Sequence, residues 1–194
     1  MNKKSLNTHV ITGVGIFTAV VIVLQLLGSF IRFGPFSISL VLVPIVVGAA
    51  LYGPGWGAWL GFVFSLTVLL SGDAGAFLVV NAAGTIITVL VKGTAAGWAA
   101  GVVFSALEKV NIWLAVICAA VAAPVVNTGL FLVGCKLFFM ETISAWGQAM
   151  GFESVGRYMI FGLVGANFLF EMLFNIVLSP VILRLIRIGR KEKE

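Results

Sequence analysis

Residues Asn167 to Asn175 read NFLFEMLFN: an amide, a carboxylate and a second amide four residues apart, with only Phe, Leu and Met between them. In a helix, residues four apart stack on one face, so Asn167, Glu171 and Asn175 form a polar line on an otherwise apolar rod. Groups arranged this way can hold a polar solute, carry a proton or bridge neighbouring helices. Lys92 in VLVKGTAAG, Asn127 in APVVNTG and Asn81 in VVNAAG sit in equally apolar surroundings. A cation among amides suits a small anion rich in hydroxyl and amide groups. The competing reading is structural: Lys92 and Glu171 neutralise each other, and the amides tie helices together. Such interhelical polar contacts average about 0.6 kcal/mol in membranes, a weak reason to keep buried charges.

The elements that must position these residues follow from composition. The 194 residues are 61% hydrophobic and 10% charged, against roughly 25% charged in a soluble domain. The chain reads as an all-α integral membrane protein. A helical span needs about 20 mostly apolar residues, and the apolar runs here are continuous, unlike the alternating strands of a barrel. Six spans are expected, at 10–31, 36–53, 57–71, 80–105, 112–138 and 158–183, forming one six-helix membrane domain over 1–194. The first is too long for a signal-peptide core and no A-x-A pattern follows it, so it counts as a span.

Six spans put both termini on one side, together with Lys3, Lys4, Lys109, Arg184, Arg187, Arg190, Lys191 and Lys193. Only Arg32 and Arg157 fall in loops on the other, so both termini are expected in the cytoplasm. The +5 net charge then reflects topology and a tail able to meet anionic headgroups, not nucleic-acid binding.

Depth sorts the polar residues. At 1.5 Å per residue, Lys92 lies about 18 Å below the outer end of its span, Asn167 about 14 Å and Glu171 about 20 Å. Asn127 lies about 22 Å above the inner end of its span. Asn81, Asn127 and Asn167 would therefore line an outward-facing cavity with Lys92 and Glu171 near its floor, while Asn175 lies deeper. Pro124 would kink the span that carries Asn127. The outer segments 71–79 and 139–157 are suited to closing over the cavity, the second as an amphipathic interfacial helix bearing Trp146. Small residues recur four apart at Gly93, Gly97 and Gly101, at Gly57 and Gly61, and at Gly15 and Ala19, a spacing that lets helix backbones approach closely.

Several chemistries are excluded by what is missing. There is no phosphate loop: in GLFLVGCK, Gly129 to Lys136, a cysteine separates the second glycine from the lysine. Cys118 and Cys135 on one helix would lie about 25 Å apart, beyond disulfide reach. His9 reads as a solvated residue at a span edge. No metal cluster or nucleophile elbow is present. The chain is expected to be no enzyme and to need no cofactor.

The runs GIFTAVVIVLQLLGSF, FGPFSISLVLVPIVVGAALYGPGWGAWLGFVFSL and NAAGTIITVLVKGTAAGWAAG resemble the substrate-binding S component of energy-coupling factor transporters, with Pro44, Gly48, Gly53 and Pro54 in a P-x-x-x-G-x-x-x-x-G-P arrangement. The resemblance covers 11–101 well and is looser afterwards. It implies a six-helix subunit of a prokaryotic cell membrane that captures a water-soluble vitamin from outside. Such a subunit docks on a membrane T component carried by two cytoplasmic ATPases, and tips over to release its cargo inside. The family's docking motif A-x-x-x-A corresponds here to Gly15 and Ala19, with glycine in the first place. The resemblance makes Asn81, Lys92, Asn127 and Asn167 ligand contacts and Glu171 a partner of Lys92. Pantothenate suits a cation beside amides. Riboflavin would call on stacking rings such as Phe33, Phe36 or Trp146, and Val43 stands where riboflavin members carry an acid; thiamine and its pyrimidine precursor stay open. Two other classes remain: a solitary secondary carrier with Glu171 as proton site, and a scaffold that moves no solute.

Overall fold

The computed structural model describes residues 8–30, 32–33, 36–37 and 40–191. Helix α1 (Thr8–Gly28) is followed by a two-residue antiparallel ladder, β1 (Arg32–Phe33) with β2 (Phe36–Ser37), and then by α2 (Leu42–Tyr52) and α3 (Pro54–Leu70). A short α4 (Gly75–Leu78) leads into the long α5 (Ala82–Leu107) and α6 (Ile112–Phe138), and then α7 (Met140–Ala149). One turn of α8 (Val155–Arg157), a π-helical segment (Tyr158–Gly165) and α9 (Ala166–Val177) run on without a break, and α10 (Ser179–Lys191) ends the described chain.

Among the described residues, four helices are long and apolar enough to cross a membrane: Val10–Gly28, Ala82–Leu107, Ile112–Phe138 and Val155–Val177. Leu42–Tyr52 and Pro54–Leu70 are apolar but shorter. The expected span 36–53 is thus helical only from Leu42, about 16 Å of helix against a bilayer core of about 30 Å. Pro44 explains the start, since proline is tolerated in a first turn and not further in. The expected span 158–183 also differs, because the helix stops at Leu178. Pro180 cannot donate to the carbonyl four residues back and its ring crowds it, while Ser179 Oγ donates to the Asn175 carbonyl at 3.1 Å. The chain resumes as the separate α10.

The α3–α5 seam organises the bundle. A Cβ on Gly57 would lie 2.3 Å from the Gly97 carbonyl oxygen, and one on Gly61 2.0 Å from that of Gly93. One level up, Ser65 Oγ donates to the Val89 carbonyl at 2.7 Å. The small-residue strips of the two helices are therefore antiparallel partners, packed backbone to backbone as the motif allows. This contact fixes Phe64 and Val68 of α3 beside Thr85, Thr88, Val89 and Lys92 of α5. Helix α6 runs unbroken through Pro124 on the other side of α5.

Helix α1 is more loosely held. Val14 and Val21 are buried, and Trp59 Nε1 donates to Thr18 Oγ1 at 3.2 Å. Ile11, Ile16, Val23 and Leu27 are exposed. Gly15 and Ala19 lie on exposed positions of this helix, and a Cβ on Gly15 would meet nothing within 4 Å.

Candidate functional site

Between α1, α3, α5, α6 and α9 lies a cavity of about 90 Å³ whose wall includes Lys92, Asn127, Asn167 and Glu171. Lys92 stands on the α5 face away from the glycine strip, with its Nζ 5.8 Å from the Phe64 ring centroid and 5.5 Å from that of Phe131. These aromatic faces hold the cation by their quadrupoles, and Glu171 and Asp73 are the carboxylates of the same cavity wall. On α9, Asn167 Nδ2 donates to Glu171 Oε1 at 3.2 Å, the stacked geometry that the four-residue spacing implies. A second cavity of about 60 Å³ adjoins the first and shares Lys92, Asn127, Phe131 and Asn167.

Several buried polar atoms here have no hydrogen-bond partner among the described residues: Thr88 Oγ1, Asn127 Oδ1 and Asn167 Oδ1. Buried acceptors are almost always satisfied by protein or ordered water. Thr88 Oγ1, Asn127 Oδ1 and Asn167 Oδ1 thus belong to residues of one cavity wall and keep hydrogen-bonding capacity that the described protein atoms do not use.

The π-helical segment helps to set this geometry. Its wider turn precedes Asn167 directly, and π turns recur at functional sites. A Cβ on Gly165 would lie 2.5 Å from the Ile160 carbonyl oxygen, so glycine allows the turn to close there.

The cavity is roofed by the segment that follows α3. Gln25, near the end of α1, is buried and its Nε2 donates to Asp73 Oδ2 at 2.6 Å. Asp73, Ala74 and Phe77 all line the cavity. Phe77 makes edge-to-face contacts with Phe131, Phe139 and Trp146, with centroids 5.5, 5.0 and 5.5 Å away. In the segment 139–157, α7 buries Ile143 and Gly147 against Tyr158 and the Phe77 cluster.

The residues singled out from sequence divide clearly. Lys92, Asn127, Asn167 and Glu171 converge on one cavity. Asn81 does not line it: it caps α5, its Oδ1 accepting from the Gly84 N–H at 2.9 Å. An asparagine directly before a helix is a cap signal, so this role was legible. Trp146 stands behind Phe77 and does not line the cavity, and the side chain of Phe36 lies outside the described residues. Asn175 is buried below the cavity, outside its wall. Sequence reasoning missed Gln25, Asp73, Thr85, Thr88 and the rings of Phe64, Phe77, Phe131 and Phe139. Two of these carried a signal: Gln25, an amide inside the apolar run VIVLQLLG, and Asp73, a carboxylate in an outer loop.

A larger groove of about 430 Å³ between α6 and the π-helical segment and α9 is lined by Gly129, Leu132, Phe161, Phe168 and similar residues, with no charged group. Thr128 is the polar residue of its lining, whereas the smaller cavity holds the charged and amide groups.

The model of the family described as ECF transporter, substrate-specific component, matches residues 9–183. No curated protein and no solved structure matches the chain.

Proposed function

Because the chain belongs to the substrate-specific components of energy-coupling factor transporters, we propose that it captures a water-soluble vitamin in the Lys92–Asn127–Asn167–Glu171 cavity. The subunit is a multi-pass membrane protein and binds its substrate without catalysis. On this reading α2 and α3 complete a six-helix bundle with both termini in the cytoplasm of a prokaryotic cell. The cargo is taken from the outer side, and a T component with two ATPases supplies the energy.

One observation carries this: Lys92 and Glu171 share a single cavity wall with two amide oxygens, of Asn127 and Asn167, that have no hydrogen-bond partner among the described residues. A bundle that used the two amides only to tie helices together would give Asn127 Oδ1 and Asn167 Oδ1 donors of their own. The cavity is small beside the roughly 300–1,000 Å³ of typical ligand sites. Vitamin uptake on this reading includes movement of the Asp73–Phe77 segment.

The finer assignment is pantothenate, its carboxylate on Lys92 and its amide and hydroxyls on Asn127, Asn167 and Thr88. The four phenylalanines in the wall favour a second reading, a flat heteroaromatic vitamin such as riboflavin, thiamine or the thiamine pyrimidine. A thermal-shift screen of the purified chain against these vitamins decides. Ligand at one hundred times its dissociation constant adds about 2.7 kcal/mol to the folded state. Folded protein silent to the whole panel would return the choice to a scaffold. Uptake by the chain alone, without ATPases, would return it to a solitary carrier with Glu171 as proton site.

A further inference from the structure

Helix α10 is set apart from the rod before it and presents three distinct faces. Ile182, Leu183 and Ile186 are buried in the same core cluster as Ala115, Val116 and Ala119 of α6. Gly189 lies against Leu51 at the end of α2, where a Cβ would be 3.0 Å from a Leu51 methyl. Arg190 pairs with Glu108 in the turn between α5 and α6 and stands 5.4 Å from the Phe104 ring centroid. The helix therefore packs against α2 and α6 and reaches the turn between α5 and α6.

Its other side is open. At about 100° per residue, Val181, Leu185 and Ile188 fall on one stripe, and they are 48%, 44% and 51% exposed. Arg184 and Arg187 occupy the remaining arc, next to that stripe and turned away from the bundle. Both are exposed, and among the described residues neither has an ion-pair partner. Arg190, by contrast, is already engaged. An underside half against the bundle and half apolar to the outside, with two free guanidinium groups on top, is the arrangement of a helix resting in a membrane interface.

We propose that α10 is an anionic-phospholipid site: Arg184 and Arg187 hold headgroup phosphates, and acyl chains cover Val181, Leu185 and Ile188. Charge complementarity selects the occupant. Guanidinium forks match phosphate oxygens, and the exposed apolar stripe of Val181, Leu185 and Ile188 beside them suits a partner that also carries acyl chains. Pro180 ends α9, so α10 begins as a separate helix with apolar and basic faces of its own.

The test uses the full chain in nanodiscs of phosphatidylcholine, with or without phosphatidylglycerol. Native mass spectrometry reads the lipid retained and a thermal melt reads stability. A basic residue near an anionic surface contributes about fivefold, so the pair should favour phosphatidylglycerol by about thirtyfold. Phosphatidylglycerol should raise the melting temperature. Arg184→Gln/Arg187→Gln should abolish both effects with helix content unchanged, and Arg184→Lys/Arg187→Lys should keep them. Three results would overturn the proposal: no preference in the wild-type chain, a preference that survives the double glutamine variant, or an equal loss of stability in both lipids. The last would make the arginines structural.

Discussion

Asn167 donates through Nδ2 to Glu171 Oε1 at 3.2 Å, one turn along α9, while its own Oδ1 is buried without a hydrogen-bond partner. One amide thus orients the carboxylate and offers an acceptor to the cavity. Hydrogen bonds to charged groups contribute about 1.5–3 kcal/mol. Asn167→Ala should therefore weaken vitamin binding by about ten- to a hundredfold in a calorimetric titration, and Lys92→Ala by at least as much. Unchanged affinity in both variants would remove this cavity as the site.

Asn175 provides the contrast. It is buried below the cavity and its Nδ2 has no hydrogen-bond partner. Replacing an unsatisfied buried polar group by an apolar one of similar shape is neutral or stabilising. Asn175→Leu is expected to leave vitamin affinity intact and the melting temperature equal or higher. A loss of affinity would bring Asn175 into the site.

The α3–α5 seam should tolerate no added atom. A Cβ on Gly61 meets the Gly93 carbonyl oxygen at 2.0 Å, whereas one on Gly129 meets nothing within 4 Å. Overpacking of this kind costs about 1–3 kcal/mol, so Gly61→Ala should lower the melting temperature in detergent. Gly129→Ala should not, because alanine is the better helix former by about 1 kcal/mol.

The bond from Gln25 to Asp73 ties α1 to the cavity roof at 2.6 Å. Gln25→Leu frees the segment that carries Phe77. Stopped-flow mixing should then show faster vitamin release, with the association rate changed less. Equal release rates would mean that the roof is held without the Gln25–Asp73 bond.

Docking on an energising module calls for an open, flat face, and Gly15 and Ala19 occupy exposed positions of α1. Gly15→Leu and Ala19→Leu should preserve vitamin binding by the isolated chain and abolish co-purification with a T component. Joint loss of both activities would assign these residues to folding.

How much of this was legible follows from which residues carry signals of their own. Charged and amide residues are rare in an apolar chain, so Lys92, Asn127, Asn167 and Glu171 announced themselves, and helical period alone stacked Asn167 on Glu171. Proline and glycine act locally as well: Pro180 is a stop signal set inside an apolar run that continues past it to Leu183. Asn81, directly before a helix, carries a cap signal in the sequence, and the structure uses it as a cap.

The sequence by itself determined the membrane class, since too few charges remain to cover a soluble surface, and the four-residue spacing of the small residues and of the polar line on α9. Tertiary structure decided which small-residue strips face each other, that Gln25 reaches Asp73, and which phenylalanines wall the cavity. The physical reason is that ring burial is not encoded locally here. With 16 phenylalanines in the chain, a ring facing lipid and a ring facing a ligand obey the same apolar rule. Only the packing of α3, α5, α6 and the roof segment separates Phe77, which is 5% exposed, from Phe161, which is 72% exposed.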